Sequence, residues 1–106
     1  MLIQTEYPFF DIQFALAVKK YAPQIWRKGG NIYGNTAFQN AVKLYRREIT
    51  PGVIRWLRKR EAWAARHYQN FRLPGVVAQM KWLVIGRLGE RKMKEMIRDA
   101  ARLAPR

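Results

Sequence analysis

The chain contains no cysteine among its 106 residues. Disulfide bonds and every zinc site that needs thiolate ligands are therefore excluded. It also lacks any apolar run near the roughly 20 residues needed to cross a bilayer, because the longest such run, Phe14 to Val18, has five residues. The first residues show neither the basic segment nor the long apolar segment of a signal peptide. From these absences we expect a cytoplasmic protein without a membrane partner.

Groups that could carry catalysis or bind a metal are few. The single histidine, His67, has no nucleophile or carboxylate near it at the spacing of a known catalytic motif. The seven carboxylates are not grouped as two-metal chemistry requires. Glu90 with Lys94, Arg91 with Glu95, and Glu61 with Arg58 have instead the spacing of ion pairs on a helix surface. We therefore expect no enzymatic activity, no cofactor and no metal, although His67 could still meet distant carboxylates in the folded chain.

Acidic residues are scarce, because 21 lysines and arginines face seven aspartates and glutamates, which gives a net charge of +14 at pH 7. The excess is uneven: residues 1–40 carry a net +2 and residues 41–106 a net +12. Self-repulsion of this size destabilises a compact chain that has no polyanionic partner. The composition therefore predicts a polyanion, DNA or RNA first, bound mainly by the last two thirds of the chain.

The remaining composition predicts a packed helical fold. Fourteen aromatic residues and an apolar content of 49% distinguish the chain from a disordered basic tail, and its length suits one domain, residues 1–106. Start signals and apolar periodicity predict an all-α bundle of about five helices and no certain strand. The predicted helices are Ile12 to about Tyr21, a second that opens at Thr36, Pro51 to about Asn70, Pro74 to about Ile85, and Glu90 to about Leu103.

Individual residues mark the ends and buried faces of these helices. Asp11 and Thr50 are predicted N-caps, and Thr36 with Gln39 three residues later forms a capping-box pattern. The fourth helix is apolar nearly all round, so we expect it at the centre of the bundle. The other residues that helical spacing turns inward are Ile12, Phe14, Ala15, Leu16, Val18, Tyr21, Phe38, Ala41, Val42, Tyr45, Leu57, Ala64, Tyr68, Phe71, Met93, Met96, Ile97, Ala100 and Leu103.

Three basic faces support the functional prediction. The third helix places its polar residues within about 120° of arc, opposite its apolar face, and the other two faces belong to the second and fifth helices. Arginine and lysine on such faces neutralise backbone phosphates with little sequence preference. Arginines outnumber lysines thirteen to eight, and the planar guanidinium suits bidentate phosphate contacts. The predicted nucleic-acid contacts are Arg55, Arg58, Lys59 and Arg66, then Arg91, Lys94, Arg98 and Arg102, then Lys43, Arg46 and Arg47.

Other patterns leave alternatives open at this point. Trp56 and Trp63 lie beside the basic face of the third helix and could stack on bases. The glycine loop 29–35 could hold a phosphate in a nest of backbone N–H groups. The last two helices weakly resemble a helix-turn-helix in their spacing.

A second class of function is an interaction module or inhibitor that docks on an acidic or nucleic-acid-binding surface of a larger machine. Such a protein would depend on a few aromatic or arginine anchors, so exposure of Trp26, Trp56 or Trp63 would favour it. Apolar residues left exposed on the fifth helix would favour a homodimer.

Overall fold

This computed structural model describes residues 5–30 and 34–103 (for 34–36, the backbone alone). All regular secondary structure in these residues is helical. These residues have a Cα radius of gyration of 13.1 Å, close to the roughly 13 Å of a folded 100-residue domain. None of their helices has the length and apolar character needed to span a membrane. The all-α prediction is confirmed for this part of the chain. Its helices are α1 (Ile12–Tyr21), α2 (Pro23–Trp26), α3 (Gly34–Tyr45), α4 (Pro51–His67), α5 (Leu73–Lys81) and α6 (Glu90–Leu103), with a 3-10 turn at Arg27–Gly29 after α2.

The helices α1 and α4 begin where their capping residues predict. The Asp11 carboxylate accepts a hydrogen bond of 2.9 Å from the backbone N–H of Gln13. The Thr50 hydroxyl accepts one of 3.1 Å from the backbone N–H of Val53. Pro51 fills the first position of α4, where a backbone N–H would have no partner inside the helix. Both N-cap predictions are therefore confirmed.

The helix α3 begins earlier than predicted. It starts at Gly34, so Thr36 lies in the first turn and not at the N-cap, and the predicted capping box with Gln39 is wrong. A helix end is the least specified part of a sequence pattern, since a boundary can shift by two residues without changing the buried face. Of the predicted loop 29–35, residues 31–33 lie outside the described residues.

The helix α5 is shorter than predicted, although its apolar residues are buried. It ends at Lys81 and not near Ile85, because Leu83 has a left-handed φ of 53°, which a continuing helix cannot contain. Val84 then pairs with Phe9 in an isolated antiparallel bridge, flanked by backbone hydrogen bonds of 3.1 and 3.2 Å. The segment after α5 is therefore held by the segment before α1.

The predicted arrangement of five helices around a central one is not confirmed. The described residues contain six helices, and α5 contacts the 3-10 turn, α3, α4 and α6. Four residues predicted to be buried are on the surface: Tyr21 is 75% exposed, Tyr45 54%, Phe71 51% and Leu103 83%. Tyr21, Tyr45 and Leu103 are the last residues of their helices, and Phe71 follows the end of α4. At those ends the neighbouring elements no longer cover the apolar face.

One charged side chain that was not predicted to be buried lies in the core. Arg60 is fully buried, and its Nε donates to the carbonyl oxygen of Trp82 at 3.1 Å. Its Nη1 pairs with the Glu61 carboxylate at 2.6 Å, so the predicted pairing of Glu61 with Arg58 is wrong. Burial lowers the pKa of Arg60, and the charge of Glu61 opposes that shift. Arg60 therefore joins α4 to the segment that follows α5.

Candidate nucleic-acid interface

The basic face of α4 consists of Arg55, Arg58, Lys59 and Arg66. All four side chains are exposed, and helical spacing places them within about 100° of arc along roughly 17 Å of helix. Across residues 5–30 and 34–103, no carboxylate lies close enough to any of them to form an ion pair. The opposite face holds the residues that α4 buries, namely Val53, Trp56, Leu57, Arg60 and Ala64. α4 therefore presents four uncompensated cations to solvent on one side.

On α6, the predicted contact Lys94 has structural partners. Its Nζ lies 3.0 Å from the Asp11 carboxylate and 3.0 Å from that of Glu90. The hydrogen bond to Asp11, followed by the one to Glu90, raises the pKa of Lys94. The hydrogen bond from Lys94 in turn lowers the pKa of Asp11. Lys94 thus fastens α6 to the beginning of α1, and most of its charge is compensated. The predicted helix-surface pair of Glu90 with Lys94 is confirmed.

The other α6 cations differ in their ion pairs and contacts. Arg102 is paired with Asp99 one turn away. The guanidinium carbon of Arg98 lies 5.2 Å from the centre of the Phe14 ring, while the side chain remains exposed. Arg91 is exposed and has no ion pair within the described part of the chain, so its predicted pairing with Glu95 is wrong. The α6 row is therefore less available to a polyanion than the α4 face.

The third predicted group lies at the end of α3. Lys43 is exposed on the helix, whereas Arg46 and Arg47 are in the turn after it. Arg47 has a φ of 62°, and the backbone N–H of Glu48 donates to the carbonyl oxygen of Lys43 at 2.8 Å. This is the left-handed closure that commonly ends a helix. These three cations therefore follow a turn and do not form one helical face, and the Glu48 carboxylate lies close to them in the chain.

The tryptophans are mainly internal. Trp26 and Trp56 are 6% and 3% exposed, so the prediction that Trp56 stacks on a base is wrong. Trp63 is half-buried, and its ring stacks on Trp82 with centroids 5.5 Å apart and on His67 with centroids 4.7 Å apart. The exposure of Trp26 or Trp56 that would favour docking on a protein partner is not observed.

The helix-turn-helix prediction is wrong. Residues 82–89 separate α5 from α6, whereas that motif joins its helices by a turn of about three to four residues.

In residues 5–30 and 34–103, no three histidine, aspartate or glutamate side chains come together as metal ligands would.

Neither a protein-family model, nor a curated protein, nor a solved structure matches this chain.

Proposed function

We propose that this chain is a non-enzymatic nucleic-acid-binding protein of the cytoplasm that lays α4 along a phosphate backbone. The observation that supports the proposal is the row of four exposed cations on α4, which have no ion pair in the described residues. Three other cations, Arg60, Lys94 and Arg102, are compensated by neighbouring carboxylates. A row of uncompensated charge on one helix face gains most from a linear polyanion, because each phosphate contact releases condensed counterions.

The length of the row suits a nucleic acid. Roughly 17 Å of helix corresponds to about five base-pair steps of 3.4 Å along the axis of duplex DNA. Four phosphate contacts give a slope of log K against log salt between about −3 and −4. Since such contacts fix position without reading bases, binding is largely indifferent to sequence. Arg91, Arg98, Lys43, Arg46 and Arg47 are secondary contacts, and Lys94 and Arg102 contribute least.

The test compares two variants with the same net charge. In the first, Arg58, Lys59 and Arg66 are each changed to Glu. In the second, the exposed residues Lys20, Arg27 and Lys28 are changed to Glu. Binding to labelled duplex DNA, single-stranded DNA and RNA is measured across a salt series, after removal of copurifying nucleic acid. We expect the α4 variant to lose binding and the control to retain most of it. Equal losses would mean that net charge alone drives association.

The alternative function is docking on an acidic or nucleic-acid-binding surface of another protein. One observation favours it: an apolar groove of about 390 Å³ lies between the N-terminal segment, α1 and α3, and Phe9, Ile12, Leu44 and Tyr45 line it. Absence of nucleic-acid binding at about 50 mM salt, where the phosphate term is strong, would favour this alternative. Tyr45→Ala would then be expected to weaken capture of the protein partner.

A further inference from the structure

A pocket of about 190 Å³ lies between α3 and α4, beside the basic face. Trp56 and Trp82 line it and are 3% and 7% exposed, so they form its inner wall. Arg55 and Lys59 also line it and are exposed, and they lie one helical turn apart, so they form its outer rim. Two of the four cations of the α4 face thus border a concave site.

The charge inside this pocket is of one sign. Its lining includes two cations and no carboxylate, and within the described ranges neither cation has an ion pair. Gly52 also lines it, in the first turn of the 17-residue α4, where the helix dipole favours an anion. The cations, the dipole and the lack of acidic groups all raise the affinity of this space for negative charge.

Gly52 keeps this space open. A Cβ built at Gly52 would lie 3.6 Å from Asn40 Oδ1 and 3.9 Å from Arg55 Nη2. One nitrogen of the Arg55 guanidinium therefore lies beside Gly52, while the Arg55 side chain remains exposed. The same distances show that a methyl group at position 52 would fit without a clash, while it would occupy part of the pocket.

We propose that this pocket is a seat for one phosphate group. Its volume is below the roughly 300 Å³ at which pockets for whole small-molecule ligands begin, so it suits a phosphate better than a complete nucleotide. The guanidinium fork of Arg55 gives a phosphate two parallel hydrogen bonds, and Lys59 adds a point charge. Resting on the function proposed above, the phosphate belongs to the backbone of the bound nucleic acid and fixes the register of α4 on it.

The seat makes a prediction that a plain charged face does not. On a plain face, Arg55 and Arg58 would contribute equally, because each is one exposed charge on the same helix. With a seat, Arg55→Gln lowers affinity for nucleic acid about tenfold more than Arg58→Gln, as expected for loss of charge-assisted hydrogen bonds. Gly52→Leu, which changes no charge, lowers it about tenfold as well. Gly52→Ala lowers it less, and it serves as the second variant if the leucine side chain disturbs folding.

The direct experiment is a titration with inorganic phosphate, with chloride at matched ionic strength as the control. NMR chemical shifts of the backbone amide at position 52 and of the Trp56 indole N–H are recorded at each phosphate concentration. We expect saturable shifts in the unmodified chain and in Arg58→Gln, and none in Arg55→Gln or Gly52→Leu, whose folding is checked by thermal unfolding. Shifts that do not saturate, or that persist in Gly52→Leu, would overturn the seat.

The two proposals fail in different ways. If the chain binds nucleic acid, but phosphate does not saturate and Gly52→Leu binds nucleic acid normally, the seat is wrong and the proposed function stands. If phosphate saturates the pocket but no nucleic acid binds at about 50 mM salt, the seat stands and its phosphate comes from another source.

Discussion

The Nη2 atom of Arg60 donates a hydrogen bond of 2.7 Å to the carbonyl oxygen of Leu83. Leu83 is the residue whose left-handed φ of 53° ends the helical path after α5, a conformation that costs a non-glycine residue on the order of 1 kcal/mol. The carbonyl oxygens of Tyr7 and Pro8 lie 2.8 and 3.0 Å from the same nitrogen, so the three oxygens share its two hydrogens. One buried guanidinium therefore joins α4, the bend after α5 and the segment before α1.

Replacing Arg60 with methionine should destabilise the fold by about 3 kcal/mol or more. Methionine fills much of the volume but leaves several buried carbonyl oxygens and the Glu61 carboxylate without their donor. Arg60→Lys should recover little, because one ammonium cannot reproduce the planar fork. Urea unfolding measures the effect, with the exposed Arg58→Met as a control expected to stay within about 0.5 kcal/mol. A midpoint of Arg60→Met equal to that of the control would show that this cation does not hold the segments together.

Helical spacing alone could have located Arg60. It lies three residues after Leu57 and four before Ala64, both of which are buried, so it occupies the apolar face of α4. A charged residue on that face is easily assigned to the surface, because arginine is seldom fully buried without partners. Its partners are backbone carbonyls of segments distant in the chain, such as Leu83 and Tyr7, and a sequence does not reveal them.

Features set by neighbouring residues were predictable, and features set by tertiary contacts were not. The exposed α4 face follows from helical spacing, and the N-caps of α1 and α4 follow from Asp11 and Thr50. The early end of α5 depends on a bridge to Phe9, which lies far from it in sequence. The pocket beside Arg55 and Lys59 depends on how α3 packs on α4. A glycine at position 52 does not by itself indicate a pocket in the sequence.

Stability should rise with pH above 8 because of Lys81. This side chain is fully buried, and its Nζ donates to the carbonyl oxygen of Gly30 at 2.8 Å. Burial, and then the charge of Lys19, lowers the pKa of Lys81 to about 8. Between pH 8 and 10.5, the ordinary pKa of a lysine side chain, the unfolded chain binds more protons than the folded chain. Raising the pH through this window therefore increases the free energy of unfolding by on the order of 2 kcal/mol. Below pH 8 Lys81 is protonated in both states, so it adds no pH dependence there.

The measurement is urea unfolding at pH 8 and pH 10 for the unmodified chain and for Lys81→Met. The two proteins differ only at position 81, so the difference between their pH dependences isolates the lysine. The methionine variant should be the more stable at pH 7 and should lose that advantage at pH 10. An advantage that does not change with pH would mean that the buried amine is charged across the whole range.

Arg47→Gly should stabilise the chain by up to about 1 kcal/mol. Arg47 has a φ of 62°, which glycine adopts without the steric cost that a Cβ imposes. Its position between the end of α3 and Glu48 is where glycine is the preferred residue. Arg46→Gly is the matched control: it removes the same charge one residue earlier, where φ is not positive, and should lower stability. Thermal unfolding of both variants decides the matter, and equal effects would show that strain at Arg47 is absent.

Lys94 and Arg91 should have opposite roles although both were predicted to contact nucleic acid. Lys94→Met removes ion pairs to Asp11 and Glu90 and should cost about 1 kcal/mol of stability, with little effect on nucleic-acid affinity. Arg91→Met removes an exposed cation without an ion pair in the described chain, so stability should hold while affinity falls at low salt. The pKa of Asp11 is lowered by its hydrogen bond with Lys94, so the stability that this ion pair contributes is lost as the pH falls and the carboxylate protonates. Below about pH 4 the stability difference between Lys94→Met and the unmodified chain should therefore shrink. Unfolding and binding measured on the same two proteins separate the roles, and a loss of affinity in Lys94→Met as large as that in Arg91→Met would restore Lys94 to the interface.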